Sequence, residues 1–443
     1  MSIDSWNPGL SGGRVYRIRL AATPFFYALK VSPAGQSVAR WHGLADELAK
    51  AMAEPADASS DVPGGLTLDV SGGGSITPPL LNPAVADRDS LLSLDSFSSG
   101  EAPCRSGLLA VPVPTADGRW IVFEQGRHWQ CTPWVDGSAC GDDEAMDTTA
   151  AARALSLGGE AIARVHARLS VLPVPTHEPT DGPTHVPKEV PRCLRDRMQR
   201  LQELSPWLLS GSSLRERLPN TTARWRALLE RCVTEGDVGV PALTAPQDVP
   251  IGYQELAQRM MSATDWMVER GVRVHRKLVS ELQQQIENTP AHQRQAWVLR
   301  DVHREHILFS ANRERVTGII DHDAIDWDCP IVDLVRWAGS FPVQLEQRSA
   351  TTRLGLAVEG YNRIASANHG LRLADGAGAR PFFLQGPTPA ELALGETLLR
   401  LNAWVGMANW VDWIGLRRRV FFSSPESLSN RISGLIDSVC HFC

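Results

Sequence analysis

The groups in this chain best placed to do chemistry fall in Ala296–Asp323, AWVLRDVHREHILFSANRERVTGIIDHD. Three short apolar strands, Ala296–Leu299, Ile307–Phe309 and Val316–Ile320, are joined there by two tight connections rich in polar residues. Asp301 and His306 flank the first connection, and Asp321 follows directly on two isoleucines. Carboxylates and an imidazole emerging together from apolar strands are costly to place there unless a ligand or metal uses them. The set suits phosphoryl transfer. One aspartate would orient or deprotonate an attacking hydroxyl, and the other would hold Mg²⁺ on nucleotide phosphates. The alternative is a polar hairpin network in which Arg300, Arg304 and Glu305 form salt bridges with the aspartates.

Elements that could position such a segment are readable on both sides of it. Residues 15–20 alternate, with Tyr16, Ile18 and Leu20 on one face and Arg17 and Arg19 on the other, and residues 25–31 form a second strand. Lys30 shares a face with Phe26 and Ala28, which leaves two roles open: an edge lysine reaching for water, or a lysine held in a cleft for an anion. Gly9–Gly13, with Gly12 and Gly13 at its end, could turn over phosphates, although a lone glycine-rich turn is weak evidence. A helix is expected at about 36–52, carrying Asp46 and Glu47. The stretch 55–103, rich in Ser, Gly, Pro, Ala and Asp with one aromatic, Phe97, is expected to be a disordered insertion. Strands at about 108–112, 120–123 and 129–132 follow, with Asp117-Gly118 and Gln125-Gly126 as turns. Pro133–Gly137 then closes the sheet. Helices are expected near 148–169, 189–204, 221–233, 252–288, 331–340, 343–366, 389–415 and 426–438.

Composition narrows the function classes. The chain has 443 residues, 43% hydrophobic and 21% charged, enough for a large core in two or three domain-sized units. A net charge of -6 argues against a dedicated nucleic-acid binder. No uninterrupted apolar run reaches the roughly 18 residues of a membrane span, and MSIDSWNPGL has no secretory pattern. Eight cysteines without a repeated spacing fit a reducing cytoplasm, and the C-x-x-C at Cys440–Cys443 reads as incidental. Lysine is scarce. Lys30, Lys50, Lys188 and Lys277 are the only four among 44 basic residues, so a lysine on an apolar strand face needs its own reason.

R-D-V-H-R-E-H-I-L-F, followed by G-I-I-D-H-D and P-I-V-D-L-V-R, resembles the aminoglycoside phosphotransferase and choline kinase-like family. A-L-K-V at 28–31 resembles that family's strand lysine, W-x-x-x-x-W-V-D-G at 129–137 its hinge, and IARVHARL at 162–169 its A-x-L-H-x-x-L helix. G-Y-N-R at 360–363 and the Trp-rich helix at 404–413 resemble its C-terminal helices. The resemblance implies an α+β, bilobal protein-kinase-like fold. A small five-stranded antiparallel N-lobe, residues 1–137, would precede a larger, mostly helical C-lobe, residues 138–443. The catalytic loop would be 299–309 and the metal-binding segment 319–333.

Carried over residue by residue, the resemblance makes Asp301 the catalytic aspartate and Asp321 a metal ligand. Lys30 becomes the phosphate-contacting lysine, with Glu47 (or Asp46) as its acidic partner. Gly12 and Gly13 would lie by the phosphates, Pro133 and Val135 by the adenine, and Asp333 would brace the catalytic loop. Two departures stand out: the family's loop His and Gly are Leu299 and Arg300 here, and its metal-binding Asn is His306. Imidazole suits Mn²⁺ better than Mg²⁺. The implied activity is ATP-dependent phosphorylation of a hydroxyl on a small molecule such as an aminoglycoside, choline, homoserine or sugar. ATP and Mg²⁺ (or Mn²⁺) would be required, with no nucleic-acid or membrane partner. His306 motivates a second reading, a nucleotide-binding pseudokinase or regulatory module without turnover. Asp323, Asp326 and Asp328 are either solvated loop acids or contacts for a cationic acceptor.

Overall fold

The computed structural model describes residues 2–8, 14–19, 25–33, 44, 48, 108–115, 117–124, 126–140, 147–175, 190–208, 216–234, 251–288, 294–343, 345, 352–367, 384–419 and 425–442. The expected insertion at 55–103, Gly12, Gly13, Asp46 and Glu47 lie outside them. The chain divides into two compact units, with the main changeover between Trp134 and Val135.

The first unit is built on a sheet of five strands: β1 (Ser2–Pro8), β2 (Arg14–Arg19), β3 (Phe26–Pro33), β4 (Val122–Glu124) and β5 (Arg127–Pro133). Their order is β1-β2-β3-β5-β4, and β2, β3, β5 and β4 pair antiparallel. The strand set differs from the expected one. Ser2–Pro8 supplies a strand that its mixed polar sequence did not advertise. Residues 108–110 leave this unit: Leu109 forms a parallel bridge to Ile319, and Ile319 N–H donates to the Leu108 carbonyl at 2.6 Å.

Period-two alternation explains the sheet's two faces. Ile18, Tyr27, Leu29, Val31, Val122, Trp129 and Cys131 form the buried core of one face. Phe26, Ala28 and Lys30 share the other, where the Arg17 guanidinium sits 3.9 Å from the centre of the Phe26 ring. Between β4 and β5 Gly126 takes φ 71°, and Glu124 is paired to Arg127.

The second unit combines eight helices among the described residues with short strands. The helices are α1 (Thr148–Leu169), α2 (Arg192–Leu208), α3 (Thr222–Thr234), α4 (Ile251–Asn288), α5 (Ile331–Gly339), α6 (Arg353–Ala367), α7 (Pro389–Trp410) and α8 (Pro425–Phe442). The strands β6 (Ser138–Ala139), β8 (Ile307–Phe309) and β9 (Val316–Ile319) make one sheet in the order β6-β8-β9. β7 (Ala296–Val298) and β10 (Asp326–Asp328) make a second, antiparallel pair. Gly137 must be glycine: its φ is 144°, and a Cβ would lie 2.8 Å from the Phe309 carbonyl oxygen.

The helix expected at 343–366 starts only at Arg353. Thr352 starts it, its Oγ1 accepting the Gly355 N–H at 3.0 Å. At the other end of the unit, α7 opens on a capping box between Thr388 and Glu391 and runs on into a wider turn, Val411–Leu416.

Helices α1, α5 and α6 are held together by small residues and one tryptophan. A methyl group at Gly159 would overlap the Ala357 carbonyl, and one at Gly360 would overlap the Ser156 carbonyl, so α1 and α6 touch backbone to backbone. Trp337 of α5 lies over Gly158 and donates its Nε1–H to the Leu155 carbonyl at 2.9 Å. This contact fixes how His166, Asp333 and Tyr361, one from each helix, meet.

A second buried histidine sets a pH dependence. His275 on α4 is 1% exposed. Its Nδ1 accepts from Trp404 Nε1–H at 3.4 Å, so the neutral ring must carry its proton on Nε2, 2.8 Å from Ser205 Oγ. Ser205 passes its own hydroxyl proton to the Leu201 carbonyl at 2.9 Å. Burial pushes the imidazole pKa below its ordinary value. The unfolded chain therefore binds more protons just below about pH 6.5, and stability is lost as pH falls through the folded-state value. Melting temperature measured against pH should decline across that window, and His275→Asn should flatten the decline. An equal slope in both proteins would remove His275 as its source.

Candidate active site

The loop between β7 and β8 is anchored before any ligand is considered. Asp333, 0% exposed at the start of α5, accepts the Leu299 N–H on Oδ2 at 2.7 Å and the Arg300 N–H on Oδ1 at 2.6 Å. His166 Nε2 reaches the same Oδ2 at 2.8 Å, and its Nδ1 lies 3.1 Å from the Tyr361 hydroxyl. Burial drives the Tyr361 hydroxyl's pKa upward, so it stays a neutral hydroxyl in this network. Two loop amides thus meet a carboxylate that three helices hold in place.

Arg300 sits at φ 65°, a left-handed conformation that glycine adopts without cost and arginine does not. Charge holds it there. Its guanidinium contacts Asp196, Asp326 and Asp328 at 2.5, 3.4 and 3.3 Å, and Arg192 also pairs with Asp326. Asp328 takes the Cys193 and Cys329 N–H groups on its other oxygen at 3.0 and 2.8 Å. Burial raises the Asp328 pKa, with Arg300 and those two amides opposing it. Asp326 and Asp328, 3% and 0% exposed, are therefore internal struts, neither solvated loop acids nor contacts for a cationic acceptor. Asp323 is exposed. The salt bridges expected of Arg300 and Glu305 do form, but largely with partners outside the loop, and Glu305 pairs with Arg431 at 2.6 Å.

From this anchored loop Asp301 projects a carboxylate that remains 46% exposed. Its Oδ1 lies 2.9 Å from His303 Nε2 and 3.9 Å from the Arg336 guanidinium. Burial alone would raise its pKa. The His303 hydrogen bond and the charges of His303, Arg336 and His306 outweigh that and hold the carboxyl well below the usual carboxylate range. On His303 burial also dominates, pushing the imidazole pKa down against the pull of Asp301.

His306 is placed by its backbone and by one ring nitrogen. Its N–H donates to the His303 carbonyl at 2.9 Å, and its carbonyl accepts the Ile320 N–H at 2.9 Å, which brings the loop beside the end of β9. Nδ1 lies 2.7 Å from the Asp301 carbonyl oxygen. A carbonyl only accepts, so Nδ1 carries the proton and Nε2 presents a lone pair when the ring is neutral. Nε2 is 3.7 Å from Asp321 Oδ2, and Asp321, at φ 57°, turns the chain out of β9. An imidazole donating one nitrogen to a backbone carbonyl while the other faces a carboxylate is a common arrangement for a metal-ligating histidine. The pair fits a divalent ion. Among the described residues no group of three or more His, Cys, Asp or Glu side chains could enclose a metal alone, so phosphate oxygens and water would complete the shell.

Of the remaining expected residues that are described, Lys30 and Pro133 belong to the sheet unit and Val135 to the other unit. Lys30 is on β3, paired with Val15 on β2 and Gln130 on β5. An interior strand carries it, which removes the edge-strand explanation. Pro133 ends β5 opposite Tyr27, and Val135 packs against Gly318 of β9. His303 and Arg336, which contact the Asp301 carboxylate, were not anticipated. Arg336 had a legible signal: it lies one helical turn after Asp333, on the same face of α5.

Among curated proteins, none matches the chain. Three solved structures illustrate a distant likeness. A spectinomycin phosphotransferase in complex with ADP and spectinomycin is 11% identical, covering 99% of this chain and 94% of that one at a TM-score of 0.42. An aminoglycoside phosphotransferase from Alicyclobacillus acidocaldarius is 10% identical over 99% and 90%, at 0.41. Another from Streptomyces rimosus is 13% identical over 90% and 92%, at 0.37. The sequence match is local and falls on the site. Over residues 237–365, the stretch that contains Asp301, His306, Asp321 and Asp333, the chain matches the phosphotransferase enzyme family.

Proposed function

We propose that this protein is an ATP-dependent phosphotransferase that phosphorylates a hydroxyl group of a small molecule. The observation that carries the reading is the grouping of an ionised Asp301 with the Nε2 lone pair of His306 and the Asp321 carboxylate, inside the segment that matches the family. Asp301 would accept a hydrogen bond from the acceptor hydroxyl and take its proton as the oxygen attacks. The new O–P bond forms to the γ-phosphorus, the bond to the bridging oxygen breaks, and ADP leaves. His306 and Asp321 would hold a divalent ion, which supplies charge neutralisation at the phosphates.

Lys30 would contact the phosphates as a compact ammonium, with Glu47 as its acidic partner and the Gly12-Gly13 turn nearby. Pro133 and Val135 would flank the adenine through backbone groups. Together these assignments correspond to the bilobal kinase-like organisation, with residues 1–137 serving the nucleotide and 138–443 the acceptor. A reducing cytoplasm fits the thiols of Cys131, Cys193, Cys329 and Cys440. No helix among the described residues is long and apolar enough to cross a membrane.

The test is a transfer assay with ATP against amino alcohols, aminoglycosides, sugars and hydroxylated acids, run in parallel with Mg²⁺ and Mn²⁺. Transfer to one acceptor class is expected, faster with Mn²⁺ because imidazole is the softer ligand. His306→Asn should move the preference toward Mg²⁺. Nucleotide binding without transfer under either metal would replace this reading with that of a pseudokinase.

A further inference from the structure

A cavity of about 330 Å³ opens beside the catalytic loop, within the size range of small-molecule sites, roughly 300–1,000 Å³. Its wall includes His303 and Arg336, which contact the Asp301 carboxylate, so a molecule held there lies next to the proposed base. Helices α5, α7 and α8 and the start of α6 supply most of the rest, including the perpendicular pair Trp410 and Trp413 with ring centres 5.5 Å apart.

The charge of this wall is one-sided. Arg304, Arg336, Arg353 and Arg431 line it, and among the described residues Glu305 is the single acid to do so. Glu305 is already occupied by Arg431. Two of the neutral polar groups point the same way chemically. Asn402 gives its carbonyl oxygen to Arg197 Nε and Nη2 at 3.0 and 2.8 Å, and Asn409 gives its own to Arg200 Nε at 2.8 Å. Because guanidinium can only donate, both amides are oriented with oxygen toward their arginines, and each is left with its NH₂ to offer. At these two positions the cavity wall therefore adds donors to an excess of positive charge.

We infer that the acceptor is a hydroxylated molecule carrying an oxyanion, either a carboxylate or a phosphate ester, bound in this cavity with its hydroxyl toward Asp301. The inference rests on the phosphotransferase reading and names its substrate class. A cationic acceptor would meet a wall of four arginines whose one acid, Glu305, is already paired with Arg431, and like charges repel most strongly in a partly dry site. An anionic one would gain charge-assisted, often bidentate hydrogen bonds from the same groups.

Binding tests the inference without requiring turnover. Melting temperature and equilibrium dialysis would be measured on the full chain with two matched sets: gluconate, glucose 6-phosphate, glucose and glucosamine, and glycerate, 3-phosphoglycerate, glycerol and ethanolamine. In at least one set an anionic member should bind tightest and the amine weakest, with anion affinity falling as salt rises. Whether carboxylate or phosphate binds better identifies the source of the oxyanion. Arg304→Gln should weaken anion binding about tenfold or more, the scale of one lost charged hydrogen bond. Glu305→Gln, which removes the competing acid, should strengthen it, so the inference stays testable if the arginine variant does not fold. Tighter binding of an amine, no anion binding in either set, or anion affinity indifferent to both substitutions would overturn it. The phosphotransferase reading stands or falls separately, on nucleotide binding and γ-phosphoryl transfer.

Discussion

Asp301→Asn should lower kcat by about two to four orders of magnitude, the usual contribution of a positioned general base, while nucleotide affinity stays unchanged. Asparagine keeps the shape and can still hydrogen-bond His303, but it cannot take the acceptor's proton. The carboxylate it replaces is held ionised far into acid by His303, Arg336 and His306. An acid limb in the wild-type kcat/KM profile must therefore come from another group. Removing His303, as in His303→Gln, takes away the strongest of the influences that lower the Asp301 pKa, which should then rise toward the ordinary carboxylate range. Single-turnover transfer and nucleotide binding, measured side by side on Asp301→Asn, check the assignment. A rate within about tenfold of wild type would remove Asp301 from the chemistry.

The largest effect on stability is expected at Asp333. Asp333→Ala deletes the acceptor for the Leu299 and Arg300 amides and for His166, and strands buried donors at Leu299 and His166. Breaking a buried, hydrogen-bonded charge in this way typically costs about 3–5 kcal/mol. The denaturant midpoint should fall accordingly, and activity should fall with it, because the loop carrying Asp301 loses its anchor. Tyr361→Phe, which removes only the outer hydroxyl of the same chain, should cost about 1 kcal/mol. Equal small effects for the two substitutions would mean that the loop is held by something else.

Much of this site was legible because it is local. Ala296–Val298 and Ile307–Phe309 are apolar runs bounded by polar turns, and both are strands. The spacing of Asp301 and His306 around one loop, and of Asp321 after the next strand, was enough to bring them together once the β8–β9 hairpin formed. Helix α1 spans the expected 148–169 because its apolar stripe is regular and Asp147 caps it. What was not legible depends on pairing across long separations. Ser2–Pro8 is a strand through its neighbours, since its own composition gives no alternation. Arg300 finds Asp196 and Asp328, 104 residues before it and 28 after it, and nothing local marks the three as partners. The basic wall of the cavity is dispersed too, over four arginines from 304 to 431 that no sequence window unites.

Arg300 also constrains how this loop could be exchanged. At φ 65° it occupies a conformation that glycine adopts without cost, so a graft bearing glycine would relax the backbone. The same graft would take the Arg300 guanidinium from both the Asp328 and the Asp326 carboxylates. The β7–β8 loop, β10 and the first turns of α2 are therefore tied together by charge. An exchange at residue 300 alone would ease one strain and take a cation from two buried carboxylates, so the loop and β10 would have to be exchanged together.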